Sequence, residues 1–142
     1  MIEHIQPPDL FPGAKLGFTQ VVATSPGRLI WVAGQTACDP RGRPIGGKDV
    51  GAQAEAALEN VGRALAAAGA RPADVTMLKV YIVGFNREAG AQIAPRVAKF
   101  FAGVEPPAST WVGVQALMHP DFLIEIEAVA AVPAERPGRR DA

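Results

Sequence analysis

The sequence predicts an α+β domain in which two helices cover one face of a β-sheet. Three observations carry this. Within residues 50–68, Val50, Ala54, Ala57, Leu58, Val61, Ala64, Leu65 and Ala68 fall three and four positions apart, which is one face of a helix. Residues 76–83 and 122–132 alternate with the period of two that a half-buried strand requires. The elements interleave as β-β-α-β-α-β-β, with only two helices to lay against the strands. A chain of 142 residues fits one domain, assigned to residues 1–132, followed by a frayed tail over 133–142.

In chain order, the first 17 residues, with Pro7-Pro8 and Pro12-Gly13, read as an arm holding one short strand. Residues 18–24 and 29–33 are β-rich. The intervening Ser25-Pro26-Gly27-Arg28 predicts a hairpin loop between them. Asp39-Pro40-Arg41-Gly42 is a second turn. Asp49 is an N-cap for the first helix, Gly69 its left-handed stop, and Pro72 follows just beyond. Ile93, Val97, Phe100 and Phe101 mark the second helix. Pro95 lacks an N–H to give, which predicts a late start or a kink. Gly103 ends that helix, and Pro106-Pro107 forces an extended entry to a strand over 110–116. A loop over 117–121 leads to the last strand, where Ile124, Ile126, Ala128 and Ala130 share one face and Leu123, Glu125, Glu127 and Val129 the other. That second face is half apolar and has no helix to cover it, so packing against copies of the same chain is the economical arrangement.

Composition narrows the class. Fourteen basic residues balance fourteen acidic ones, and 49% of the chain is hydrophobic, although 26 of those residues are alanine. A disordered chain is excluded, and a strongly basic nucleic-acid binder is disfavoured because such binding needs neutralised phosphates. The lone Cys38 forms no internal disulfide and reads as a small packing residue. No signal peptide is readable at the start, and no apolar run approaches the ~20 residues of a membrane helix. The expectation is a soluble, cytoplasmic protein without membrane contact. Two histidines and one cysteine, far apart, offer no zinc spacing, and Gly42, Gly46, Gly47 and Gly51 fit no phosphate-loop fingerprint.

Several segments resemble successive motifs of the Rid (YjgF) family. They are Gly17-Phe18-Thr19-Gln20, Ala33-Gly34-Gln35, Asp39-Pro40-Arg41-Gly42, the first helix with Gln53, Asn60 and Ala67-Ala68-Gly69, then Pro106-Pro107-Ala108 and Ile124-Glu125-Ile126-Glu127-Ala128. The resemblance runs in order over roughly residues 15–132. It implies a chorismate-mutase-like fold, a homotrimer with ligand clefts between subunits, no metal or organic cofactor, and hydrolysis of imino or enamino acids, as in 2-iminobutanoate/2-iminopropanoate deaminase-like proteins. One departure stands out. Family archetypes carry an arginine for the substrate carboxylate directly after Pro-Ala, where this chain has Ser109. A serine hydroxyl does not replace a bidentate guanidinium, so the chain resembles an arginine-lacking subgroup. Phe18 stands where tyrosine is common, and Trp111 where cysteine is common.

The candidate site residues follow from these matches. Glu125 aligns with the glutamate that positions the hydrolytic water, a task suited to a partly buried carboxylate. From pattern alone an ordinary strand glutamate is the better fit, and only the family match brings the two readings level; Glu127 reads as a structural or interface residue. Phe18, Gly34, Asn86, Ser109 and Trp111 are the expected lining of the cleft. Trp111 also fits a core or interface position, Asn86 a turn, and Gly34 close strand packing. His119 is the one candidate from outside the family pattern, either an acid–base group or a solvated loop histidine. His4 lies near the terminus and has less claim.

Overall fold

The computed structural model describes residues 1–10, 12–25 and 27–134. The tail expected over 133–142 therefore lies outside the described residues beyond position 134. Strands β1 (Ile2–Ile5) and β2 (Val21–Thr24) pair antiparallel as a small two-stranded sheet. The main sheet has the order β3-β6-β4-β5, built from β3 (Gly27–Thr36), β4 (Val75–Val83), β5 (Ala108–Val114) and β6 (Ile124–Pro133). Its β3–β6 and β4–β6 pairs are antiparallel and its β4–β5 pair is parallel. Helices α1 (Val50–Ala67) and α2 (Arg87–Phe100) pack side by side on one face.

The hairpin expected across Ser25–Arg28 does not form. β2 pairs with β1 in the register Ile2↔Thr24 to Ile5↔Val21, while β3 takes β6 as its partner. A turn signal is local and does not fix pairing, and β3 finds its partner in β6 at the far end of the chain.

α1 begins at Asp49, whose carboxylate accepts the Ala52 N–H at 2.9 Å, and ends against Gly69 at φ +74°. Its apolar stripe is the predicted one: Ala54, Ala57, Leu58, Val61 and Leu65 are all buried. α2 starts earlier than its apolar spacing predicts, at Arg87, because Asn86 caps it by accepting the Ala89 N–H at 2.9 Å. It then runs through Pro95 to Phe100. The helices meet Leu78, Val80, Ile82, Ile124, Ile126, Ala128 and Ala130, all buried, as the alternation of β6 predicts. Each fully buried large aliphatic contributes about 1.5–3 kcal/mol. The opposite face mixes Lys79, Tyr81, Glu125 and Glu127 with apolar groups, and Trp31 is 71% exposed there.

Candidate functional site

The segment before β2 forms the first wall of the site. A 3-10 turn over Gly13–Leu16 ends at Gly17, φ +78°. Phe18 folds back onto Gly13, where an added Cβ would come within 2.6 Å of the ring. Thr19, almost fully buried, then stitches the segment to the entry of β5: its hydroxyl donates to the Pro106 carbonyl at 2.6 Å and its N–H to the Pro107 carbonyl at 2.9 Å. His4 reaches the same hydroxyl at 3.2 Å. This stitching brings Phe18 beside Ser109 and Trp111.

Those three residues, together with the Ala94, Pro95, Val97 and Ala98 surface of α2, line a cavity of about 740 Å³. The register explains their orientation: Ser109 lies opposite Leu78 and Trp111 opposite Val80, so both point to the helix side of the sheet. The Trp111 indole N–H donates to the Ser109 hydroxyl oxygen at 3.0 Å, and its ring lies 6.4 Å from that of Phe85. Lys15 is the one charged residue in the lining.

Glu125 lies on the other face. It pairs with Tyr81 on one side and with Thr36 on the other. A β-bulge between Val32 and Gln35 sets Gly34 directly against it, and any Cβ at position 34 would collide with the Glu125 carboxylate. The missing side chain of Gly34 is therefore what makes room for this carboxylate. Next to it, the Tyr81 hydroxyl donates to Glu127 at 3.0 Å, and Lys79 reaches the same carboxylate oxygen at 3.4 Å. The hydrogen bond to Glu127 raises the Tyr81 pKa above its ordinary value, with burial and the Glu127 and Glu125 charges adding to it. Hence Glu125 and Gly34 do not meet Phe18, Ser109 and Trp111 within one chain.

The remaining candidates lie apart. Asn86 caps α2 and lines a smaller pocket of about 220 Å³ with Val50, Gly84, Gln92 and Leu123. His119 packs 5.4 Å from the Phe122 ring and accepts the Asp121 N–H at 3.1 Å, so it organises its own loop. Asp121 pairs with Lys48 at 2.8 Å, which holds its carboxyl below the usual range. Cys38 is half-buried in a loop closed by its bridge to Pro44. No cluster of three or more metal-ligating side chains occurs among the described residues, and no helix there is long and apolar enough to cross a membrane.

Sequence reasoning missed the positional role of Gln53. Fully buried, it donates to the Gly47 and Asp121 carbonyls at 2.7 Å each and accepts the Leu123 N–H at 2.8 Å, fixing the loop that delivers β6 and Glu125. A glutamine on the buried stripe of α1 was the available signal. Asn60 acts similarly, donating to the Thr36 and Cys38 carbonyls at the end of β3.

The family model described as Endoribonuclease L-PSP matches residues 11–132. A RutC family protein of Pyrococcus horikoshii is 36% identical over 108 residues, covering 76% of this chain and 82% of the relative. This chain belongs to the Rid (YjgF) family. Among solved structures, the Rid family protein YyfB of Yersinia pestis is 38% identical, with a TM-score of 0.89 over 92% of this chain and 98% of that one. TdcF of E. coli, solved with bound serine, is 29% identical with a TM-score of 0.66, over 77% and 84% of the two chains. The Rid fold thus accounts for the two helices packed on a mixed sheet.

Proposed function

We propose that this Rid protein is a hydrolase acting on the imine or enamine C–N bond of a small metabolite, as a homotrimer with its ligand clefts between subunits. The observation that carries the reading is the Glu125 carboxylate held in the niche that Gly34 leaves open. Such a carboxylate takes a proton from water as the water oxygen attacks the imine carbon, then returns a proton to nitrogen so that ammonia leaves and a carbonyl remains. An enamine first tautomerises to the imine. The serine bound by TdcF supports a ligand of amino-acid character in this fold.

The apolar cavity and Glu125 occupy opposite faces of one sheet. A working site therefore needs the carboxylate of a neighbouring copy at the mouth of this cavity, which is the role the trimer plays. The half-apolar open face, with Trp31 exposed, is the surface that copies would share. Ser109 at the arginine position supports an arginine-lacking subgroup, with Phe18, Ser109 and Trp111 shaping the cleft and Asn86 outside it. Zero net charge favours a metabolite over RNA despite the family model's endoribonuclease description.

Ammonia release over a panel of imines and enamines tests this, with Glu125→Gln as the comparison. The expected loss is roughly a hundredfold or more. Activity indifferent to that substitution, or none on any substrate, overturns it. A second reading, a noncatalytic ligand-binding trimer, is favoured by one observation: the cavity lining contains no carboxylate or imidazole. Thermal stabilisation by a metabolite that is never turned over would identify it. Light scattering at three times the 14.8 kDa chain mass checks the assembly, and a monomer contradicts it.

A further inference from the structure

The cavity beside Trp111 has apolar walls, and its polar side-chain groups are the Ser109 hydroxyl, the Trp111 indole N–H and the Lys15 ammonium. The Ser109 oxygen already accepts the Trp111 indole N–H at 3.0 Å, so the hydroxyl proton is left to donate elsewhere. Lys15, at the exposed end of the lining, brings an ammonium with three donors, and no ion-pair partner engages it among the described residues. Among the chain's described residues no acidic side chain lines the cavity, so the one carboxylate the proposed assembly brings near it is Glu125 of the neighbouring copy. A cavity with one cationic residue and one hydroxyl in an otherwise hydrocarbon lining suits an anionic head on an apolar body.

Size sharpens the class. At about 740 Å³ the cavity exceeds what a three- or four-carbon acid fills, and it lies within the range of roughly 300–1,000 Å³ that encloses larger organic ligands. Its flat walls, the rings of Phe18 and Trp111, suit a planar or branched body. The backbone around Lys15 is set by the 3-10 turn and by the Thr19 stitch to β5, so the ammonium is presented from a fixed segment.

We propose that Lys15 anchors the carboxylate of the ligand in this cavity, and that the ligand is a monocarboxylic acid with a phenyl- or indole-sized body. The proposal rests on the reading of the cavity as the ligand site. It makes Lys15 the specificity-determining charge of the cleft, with Ser109 as a second donor to the same carboxylate.

Calorimetric titration of the full chain with 3-phenylpropanoate, indole-3-acetate, their amides and acetate tests it. The aromatic acids bind more tightly than either their amides or acetate. Lys15→Met weakens the acids roughly five- to tenfold and leaves the amides unchanged, whereas Lys15→Arg retains the preference. Ala98→Trp, at an exposed position of α2 that faces the cavity, abolishes binding of all of them. Equal affinity for acid and amide, or an equal loss of both in Lys15→Met, overturns the anchor and leaves the cavity reading standing. Binding of nothing on the panel, or binding indifferent to Ala98→Trp, overturns both. Glu125-dependent ammonia release by the wild-type chain reads the proposed function separately: its presence together with equal affinity for acid and amide removes the Lys15 anchor alone.

Discussion

Gln53→Ala removes a side chain that is fully buried and spends every polar atom on backbone: two carbonyls, of Gly47 and Asp121, and the Leu123 N–H. The three bonds are 2.7, 2.7 and 2.8 Å long. At about 1 kcal/mol each they sum to about 3 kcal/mol, and water entering the vacated space recovers part, leaving about 2–3 kcal/mol. For a chain of this length that lowers Tm by roughly 6–9 °C. Gln53→Glu is the sharper variant. It keeps the shape but turns a carboxylate oxygen toward two carbonyls, so the folded state holds the new carboxyl protonated more tightly than the unfolded chain does. A pKa raised on folding gives stability that is present below the ordinary glutamate value of about 4.3 and lost as pH rises through the folded value. Gln53→Glu should therefore melt below Gln53→Ala at pH 7.5 and approach the wild type near pH 4. Thermal melts followed by circular dichroism at both pH values decide it. Gln53→Ala melting within 2 °C of wild type, with Gln53→Glu tracking it at either pH, would refute the reasoning.

Three other outcomes follow from particular contacts. Gly34→Ala displaces the Glu125 side chain from Cγ outward and no backbone, so stability should fall by about 1 kcal/mol while ammonia release falls roughly a hundredfold from misplacement; a large drop in Tm with activity intact contradicts it. Pro95→Ala restores the N–H that the Ala91 carbonyl lacks within α2, and should stabilise the chain by about 1–2 kcal/mol after the unfolded-state entropy is offset, read from urea midpoints. Tyr81 is the chain's one tyrosine, so its phenolate absorbance reports a single group. It should titrate above its ordinary value, and Glu127→Ala should return it toward that value. Because its pKa is raised on folding, the linked stability is present below about pH 10 and lost as pH climbs through the folded value.

Legibility in the sequence divides along contact range. The α1 stripe, its Asp49 and Gly69 ends, and the inward face of β6 were readable because each is set by neighbours within a few residues. The start of α2 was not read from apolar spacing, since its first turn is fixed by the Asn86 cap rather than by burial. The partner of β2 was misread for a related reason: a turn signal is local, whereas β3 chose β6 across the length of the chain. The site divides the same way. Phe18, Ser109 and Trp111 were identified as lining from the family pattern, and the Leu78↔Ser109 register brings them to one cavity. That Glu125 faces the uncovered side is legible in the alternation of β6, whereas the helix-side position of Ser109 and Trp111 depends on the β4–β5 register, which the sequence does not reveal. Lys15 carried no motif at all, and its position depends on Thr19 reaching Pro106, 87 residues further on.

The central claim is that the cavity of one chain works with the Glu125 of another. Mixed assemblies test it directly: Glu125→Gln chains, which keep the cavity, are co-refolded in equal amounts with Ala98→Trp chains, which keep the carboxylate. Each variant alone should be inactive in ammonia release. If the site is shared, the mixture recovers about a quarter of the wild-type rate, the fraction of subunit boundaries that join an intact cavity to an intact carboxylate. A mixture as inactive as its two components would contradict the account.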